Sequence, residues 1–95
     1  MMPKLSVTER LQLASELYDI ALEVRDEVVR AIEKHGHFAS PHEAHSIIEE
    51  EFEELWDEIK ADRGYQQSAM DEALQVAAMA VKYIHAFRKG KPDAC

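Results

Sequence analysis

Apolar positions in the first third of the chain recur with the spacing of one helix face. Leu11, Ala14, Leu17, Tyr18, Ala21, Leu22, Val28, Val29 and Ile32 follow a period of about 3.6 residues. Ser6 and Glu9 have the spacing of a capping box, in which each side chain satisfies a backbone N–H at the helix start. The pattern predicts a helix from near Ser6 or Thr8 to about Lys34, roughly 40 Å long. Gly36 follows it and offers the left-handed conformation that commonly ends a helix.

A second start signal is clearer. Ser40 is a good N-cap, Pro41 suits the first helical position, and Glu43 is placed to close a capping box. The second helix is expected from about Pro41 to Ala61 or Asp62, ended by Arg63-Gly64-Tyr65. Ser68 with Asp71 marks the start of a third, continuing to about Arg88. Its body from Ala73 to Phe87 is apolar on nearly every side, interrupted only by Gln75, Lys82 and His85. Such a helix has to be covered all round. Two companions from its own chain are too few, which predicts a homo-oligomer, a dimer or a tetramer. The expected fold is all-α, a three-helix chain assembling into a helical bundle dimer or larger oligomer. It forms one domain over residues 1–95, with an ordered core at about 6–88 and a tail at 89–95.

Composition narrows the function classes. Ninety-five residues suit one domain, and an apolar content of 46% argues against disorder. The net charge of −8, with acids concentrated between Glu43 and Asp62, disfavours duplex nucleic acid, whose binding needs cationic groups. A free nucleotide stays open, because a divalent cation can bridge acidic protein to phosphate. Cys95 is the single cysteine, so no intrachain disulfide is expected. Met1 to Arg10 holds no apolar core of a signal peptide, and no apolar run approaches the roughly 20 residues of a membrane span. A cytoplasmic protein without membrane association is the expectation.

At about 100° per residue the second helix sorts its acids into two groups. Ile48, Phe52, Leu55 and Ile59 mark the expected centre of the buried face, with Glu50, Glu53 and Asp57 opposite, in water. Glu51, Glu54 and Glu58 gather on one flank instead, Glu51 nearest the apolar centre. Carboxylates this close repel one another, and partial burial sharpens the repulsion. A hard divalent cation such as Mg²⁺, which prefers oxygen ligands, removes that penalty. A dense but merely solvated acidic flank is the competing reading. On the third helix Glu72, Gln75, Met79 and Lys82 share a face. Glu72 also has an ordinary explanation near a helix start, and Lys82 could form a structural salt bridge to a glutamate of the second helix.

This arrangement resembles the MazG-like all-α nucleoside triphosphate pyrophosphohydrolases, short phage and bacterial members in particular. Their signature is a Glu-x-x-Glu pair on one helix and a Glu-x-x-Asp pair on a later one. Glu51 and Glu54 match the first pair, and Glu72 and Gln75 fall at the second. The segments His37-Phe38-Ala39-Ser40-Pro41-His42-Glu43 and Gln75-Val76-Ala77-Ala78-Met79-Ala80 add to a likeness that spans roughly His35 to Phe87. The departure is Gln75, where the family has a carboxylate; Glu58 is the residue that could compensate. The resemblance implies Mg²⁺-dependent cleavage of a (deoxy)nucleoside triphosphate to the monophosphate and pyrophosphate, with Mn²⁺ as an alternative ion. It further implies metal ligation by Glu51, Glu54, Glu72 and Gln75, with Glu54 or Glu58 orienting or deprotonating the attacking water. Lys82 and Arg63 become the candidates for phosphate contacts, and neighbouring subunits complete the site; His37 and Phe38 either sit in a loop near the nucleotide or simply cover the junction of the first two helices.

Five histidines also invite a metal reading, but the chain has none of the Glu-x-x-His pairs of a di-iron bundle. Two rivals remain open: a non-catalytic helical oligomerisation or regulatory module, and a Mg²⁺–nucleotide binder that has lost turnover. Gln75 is the residue that favours them.

Overall fold

The computed structural model describes residues 4–61 and 66–88. They form three α-helices in chain order, α1 (Val7–His35), α2 (Pro41–Lys60) and α3 (Gln67–Phe87). No strand is present among the described residues, and no helix of theirs is long and apolar enough to cross a membrane. Arg63, the Arg63-Gly64-Tyr65 helix stop and the tail lie outside the described residues.

The helix ends follow from local chemistry. Ser6 caps α1 with a complete capping box: its Oγ accepts from the Glu9 N–H at 3.1 Å, and the Ser6 N–H donates to Glu9 Oε1 at 2.8 Å. Ser40 caps α2 by accepting from the Glu43 N–H. The Glu43 carboxylate, however, reaches past the cap and accepts from the Ala39 N–H at 2.7 Å, so the expected box is closed one residue earlier. The α3 start corrects the Ser68–Asp71 expectation. Gln66 is the N-cap, no side chain caps it, and Asp71 instead accepts from Gln67 Nε2. Ser68 has a tertiary partner, donating to Glu58 Oε1 at 2.8 Å.

Gly36 ends α1 with φ +78° and ψ −175°. This is not the left-handed helical conformation expected there but the extended positive-φ region open essentially to glycine alone. A Cβ at Gly36 would meet nothing within 4 Å, so the constraint is backbone torsion and not crowding. Gly36→Ala is therefore expected to destabilise by about 1–3 kcal/mol, read as a shifted urea midpoint at unchanged slope.

Helix α3 is the central element, packing against both α1 and α2, which do not pack against each other. The core is small: Val28 of α1, Phe38 of the connecting loop, Ala44 of α2, and Ala78 and Met79 of α3, with Val24, Ile32, Ile47 and Ile48 packed around it. On α2 the buried face is rotated by roughly 60° from the expected one. Ala44 is buried and Glu51, Leu55 and Glu58 are partly buried, whereas Phe52 is 58% exposed and Ile59 is exposed too. The rotation turns the glutamate flank toward α3. Nor is α3 covered all round: Ala78, Met79, Lys82 and Ala86 are buried, while Val81, Tyr83 and Ile84 are exposed.

Candidate metal centre and adjoining cavity

The rotated face of α2 determines the site. Glu51 and Glu54 stand one turn apart on α2, and Glu72 faces them from the second turn of α3. One carboxylate oxygen from each lies within 4.8 Å of the others. Two ligands across one Mg²⁺ are at most about 4.2 Å apart, so these oxygens would have to draw closer by small side-chain torsions to share an ion. The donor set is hard, anionic and drawn from two helices, as an oxygen-seeking divalent cation requires.

Electrostatics record the strain. Burial, then the charges of Glu54 and Glu72, push the Glu51 carboxyl up to about 7. Glu72 is shifted upward as well, first by burial and then by Glu54 and Glu58. A carboxyl that holds its proton to about 7 when folded but releases it near 4.5 when unfolded binds more protons in the native state between those values. Native stability is then highest at the acid end of this window and falls as pH rises through it. For Glu51 the full shift corresponds to at most about 3 kcal/mol, which solvent screening reduces to roughly 1–2. The metal-free protein should therefore lose on the order of 5–10 °C in melting temperature between pH 5 and pH 8. Millimolar Mg²⁺ should flatten that slope, both effects being followed by circular dichroism. A flat profile without metal would contradict the like-charge cluster.

Glu58 sits one turn beyond Glu54, outside the three-carboxylate group, where the Ser68 hydroxyl holds it by the bond already described. The Glu27 carboxylate of α1 is held below the usual range first by Arg30 and then by Gln75. Glu27, with a side chain only 15% exposed, is a site residue that sequence reasoning missed. The signal was present: Glu27 lies among Val24, Val28 and Ala31 on the buried stripe of α1, as Glu51 does on α2.

Beside the carboxylates opens a cavity of about 680 Å³, within the range of small-molecule sites. Its lining mixes Glu27, Glu43, Glu50, Glu51 and Gln75 with Arg30, Lys34, His37 and Lys82. Lys82 is 3% exposed, its ammonium 4.2 Å from the centre of the Phe38 ring. Burial lowers its pKa and the charge of Glu43 partly opposes this. Among the described residues no ion pair joins Lys82 to a glutamate of α2. His37 is exposed and stacks on His85, ring centroids 5.9 Å apart. Phe38, at 1% exposure, covers the α1–α2 junction as a core residue. Sequence reasoning also missed Arg30 and Lys34, which look like ordinary surface cations until the cavity is seen.

No protein-family model matches the chain, and no curated protein or solved structure matches it either. The arrangement of side chains therefore has to carry the functional argument.

Proposed function

We propose that this chain hydrolyses a (deoxy)nucleoside triphosphate, as its Mg²⁺ complex, to the monophosphate and pyrophosphate. The observation that carries this reading is the convergence of Glu51, Glu54 and Glu72 beside a cavity of small-molecule size lined in part by cationic groups. Glu51, Glu54 and Glu72 would hold Mg²⁺ (Mn²⁺ is the alternative), and the Gln75 carbonyl oxygen would be a neutral fourth donor. When bound, the ion supplies charge neutralisation of the triphosphate and a lowered pKa for coordinated water.

The chain's own groups do the rest. Glu54 or Glu58 orients the water that attacks the α-phosphorus and takes up its proton, while the bond to the bridging oxygen breaks and pyrophosphate leaves. The hydrogen bond from Ser68 fixes the Glu58 carboxylate for that role. Lys82 meets phosphate charge from a desolvated position, where its attraction is least screened. Arg30, Lys34 and His37 line the same cavity and draw the anion in; Arg63 keeps a phosphate role by its place in the sequence.

The test has two stages. Isothermal titration with Mg²⁺ should show binding that Glu51→Ala removes; no binding to the wild type would sink both metal-dependent readings. Pyrophosphate release from a panel of nucleoside triphosphates then separates an enzyme from a binder without turnover, the reading that Gln75 favours. If Glu54→Ala is as active as wild type, the site assignment is wrong even where activity is real.

A further inference from the structure

Among the described residues Lys82 is the one charged side chain that is buried. A buried ammonium ordinarily has a carboxylate or carbonyl oxygens around it, because desolvating a charge without a partner is costly. Among the described residues neither a hydrogen bond nor an ion pair reaches its Nζ, which rests on the face of the Phe38 ring. Glu43 acts on it through charge, but that carboxylate is already bound to the Ala39 N–H at 2.7 Å. Nor is the amine sealed in. No buried side-chain nitrogen or oxygen of the described residues lacks both solvent and a partner, so Nζ opens on the cavity that Lys82 lines.

The groups nearest in the fold suit an anion. Lys34 and His35 close α1, His37 follows in the loop beside Phe38, and all three line the same cavity. His37 also stacks on His85, one turn beyond Lys82 on α3. Of the remaining charges in the lining, Arg30 is paired with Glu27, while Glu50 and Glu51 stand about two turns beyond Glu43 on α2.

We infer that Lys82 is a reactive amine, and that the cavity takes a small aldehyde carrying a phosphate group and holds it as an imine. The Nζ lone pair attacks the carbonyl carbon while the carbon–oxygen π pair moves to oxygen. That oxygen then leaves as water with two protons that were on the nitrogen. Amine and aldehyde thus give imine and water, with no oxidant or further reactant. Burial lowers the Lys82 pKa and so enlarges the fraction of free amine near neutral pH, the device that activates buried lysines toward carbonyl compounds. Lys34 supplies counter-charge for the phosphate. The reaction needs no divalent ion, so it stands or falls separately from the hydrolysis proposed above.

Pyridoxal 5′-phosphate is the probe, added to the full chain in EDTA at neutral pH and reduced with borohydride, the adducts being mapped by peptide mass spectrometry. Lys82 should carry at least about ten times the adduct found on the exposed Lys4 and Lys60, and unfolding in urea should abolish that preference. Pyridoxal, which lacks the phosphate, should label Lys82 several-fold less. An even spread over the lysines, labelling concentrated on Lys34, or equal labelling by pyridoxal would each overturn the inference. The mapping uses the wild-type chain, so it does not depend on how a variant folds. Because EDTA removes divalent ions, failure of the Mg²⁺ titration or of the pyrophosphate assay leaves this outcome unchanged.

Discussion

Glu51→Gln should reduce kcat/KM for triphosphate hydrolysis by roughly 10²–10⁴-fold and abolish Mg²⁺ binding, while making the metal-free protein more stable at pH 8. The two halves of this result come from one cause. Glu51 is the most desolvated of the three clustered acids, and burial with the charges of Glu54 and Glu72 already holds its carboxyl near 7. The amide keeps the shape of the side chain and removes the charge. A site that needs that charge for an ion loses function on the scale of a lost acid–base or metal-ligand group. A fold that carries it as a burden gains on the order of 1–2 kcal/mol above pH 7. Glu53→Gln is the control, since Glu53 is exposed and outside the cluster. A purely solubilising acidic flank predicts neither half, so unchanged kcat/KM and unchanged melting in Glu51→Gln would remove the site. Melting curves and pyrophosphate assays on the same preparations decide it.

The asymmetry between Glu51 and Glu53 shows which parts of this molecule were legible in its sequence. Helix ends were readable where the signal is local. Ser6 with Glu9, Ser40 before Pro41, and the glycine at 36 fix their neighbours within a few residues; α1 begins and ends at such signals and α2 begins at one. Their finer geometry was not. Gly36 adopts an extended positive-φ torsion, and nothing within the helix itself announces that conformation. Which face of α2 docks was also hidden. Its apolar residues centre on Phe52 and Ile59, yet Ala44 is buried and Glu51 and Leu55 are partly buried where α2 packs on α3, a choice made by tertiary packing and not by amphipathicity. The third helix shows the same limit from the other side. Ser68 has the side chain of a cap but is used to hold Glu58 across the α2–α3 pair. For the candidate site, the carboxylates of α2 and α3 could be picked out because each sits at an apolar boundary. Glu27 meets the same criterion on α1, but nothing in sequence distance ties it to Gln75.

Phe38→Ala should be the most destabilising single change in the chain, costing about 3–5 kcal/mol and on the order of 20 °C in melting temperature. Among the described residues Phe38 is the largest fully buried side chain, and it comes from a five-residue connection and not from a helix. Through it the loop after Gly36 is tied to Val28, Ala44, Ala78 and Met79, which draw on all three helices. In a domain this small, whose total stability lies near the low end of about 5–15 kcal/mol, the loss removes much of the margin. Packing is only part of its contribution, because the Lys82 ammonium rests over the ring face, an interaction of about 0.5–2 kcal/mol when desolvated. Phe38→Leu separates the two. It keeps apolar volume in the core and so should recover most of the stability, but it leaves the lysine without its aromatic seat on the cavity wall. The expected signature is a near-normal melt with a several-fold higher KM for the triphosphate and a smaller change in kcat. Equal KM in Phe38→Leu and wild type would mean that Lys82 is held by its burial alone, and that the ring serves the core and nothing beyond it.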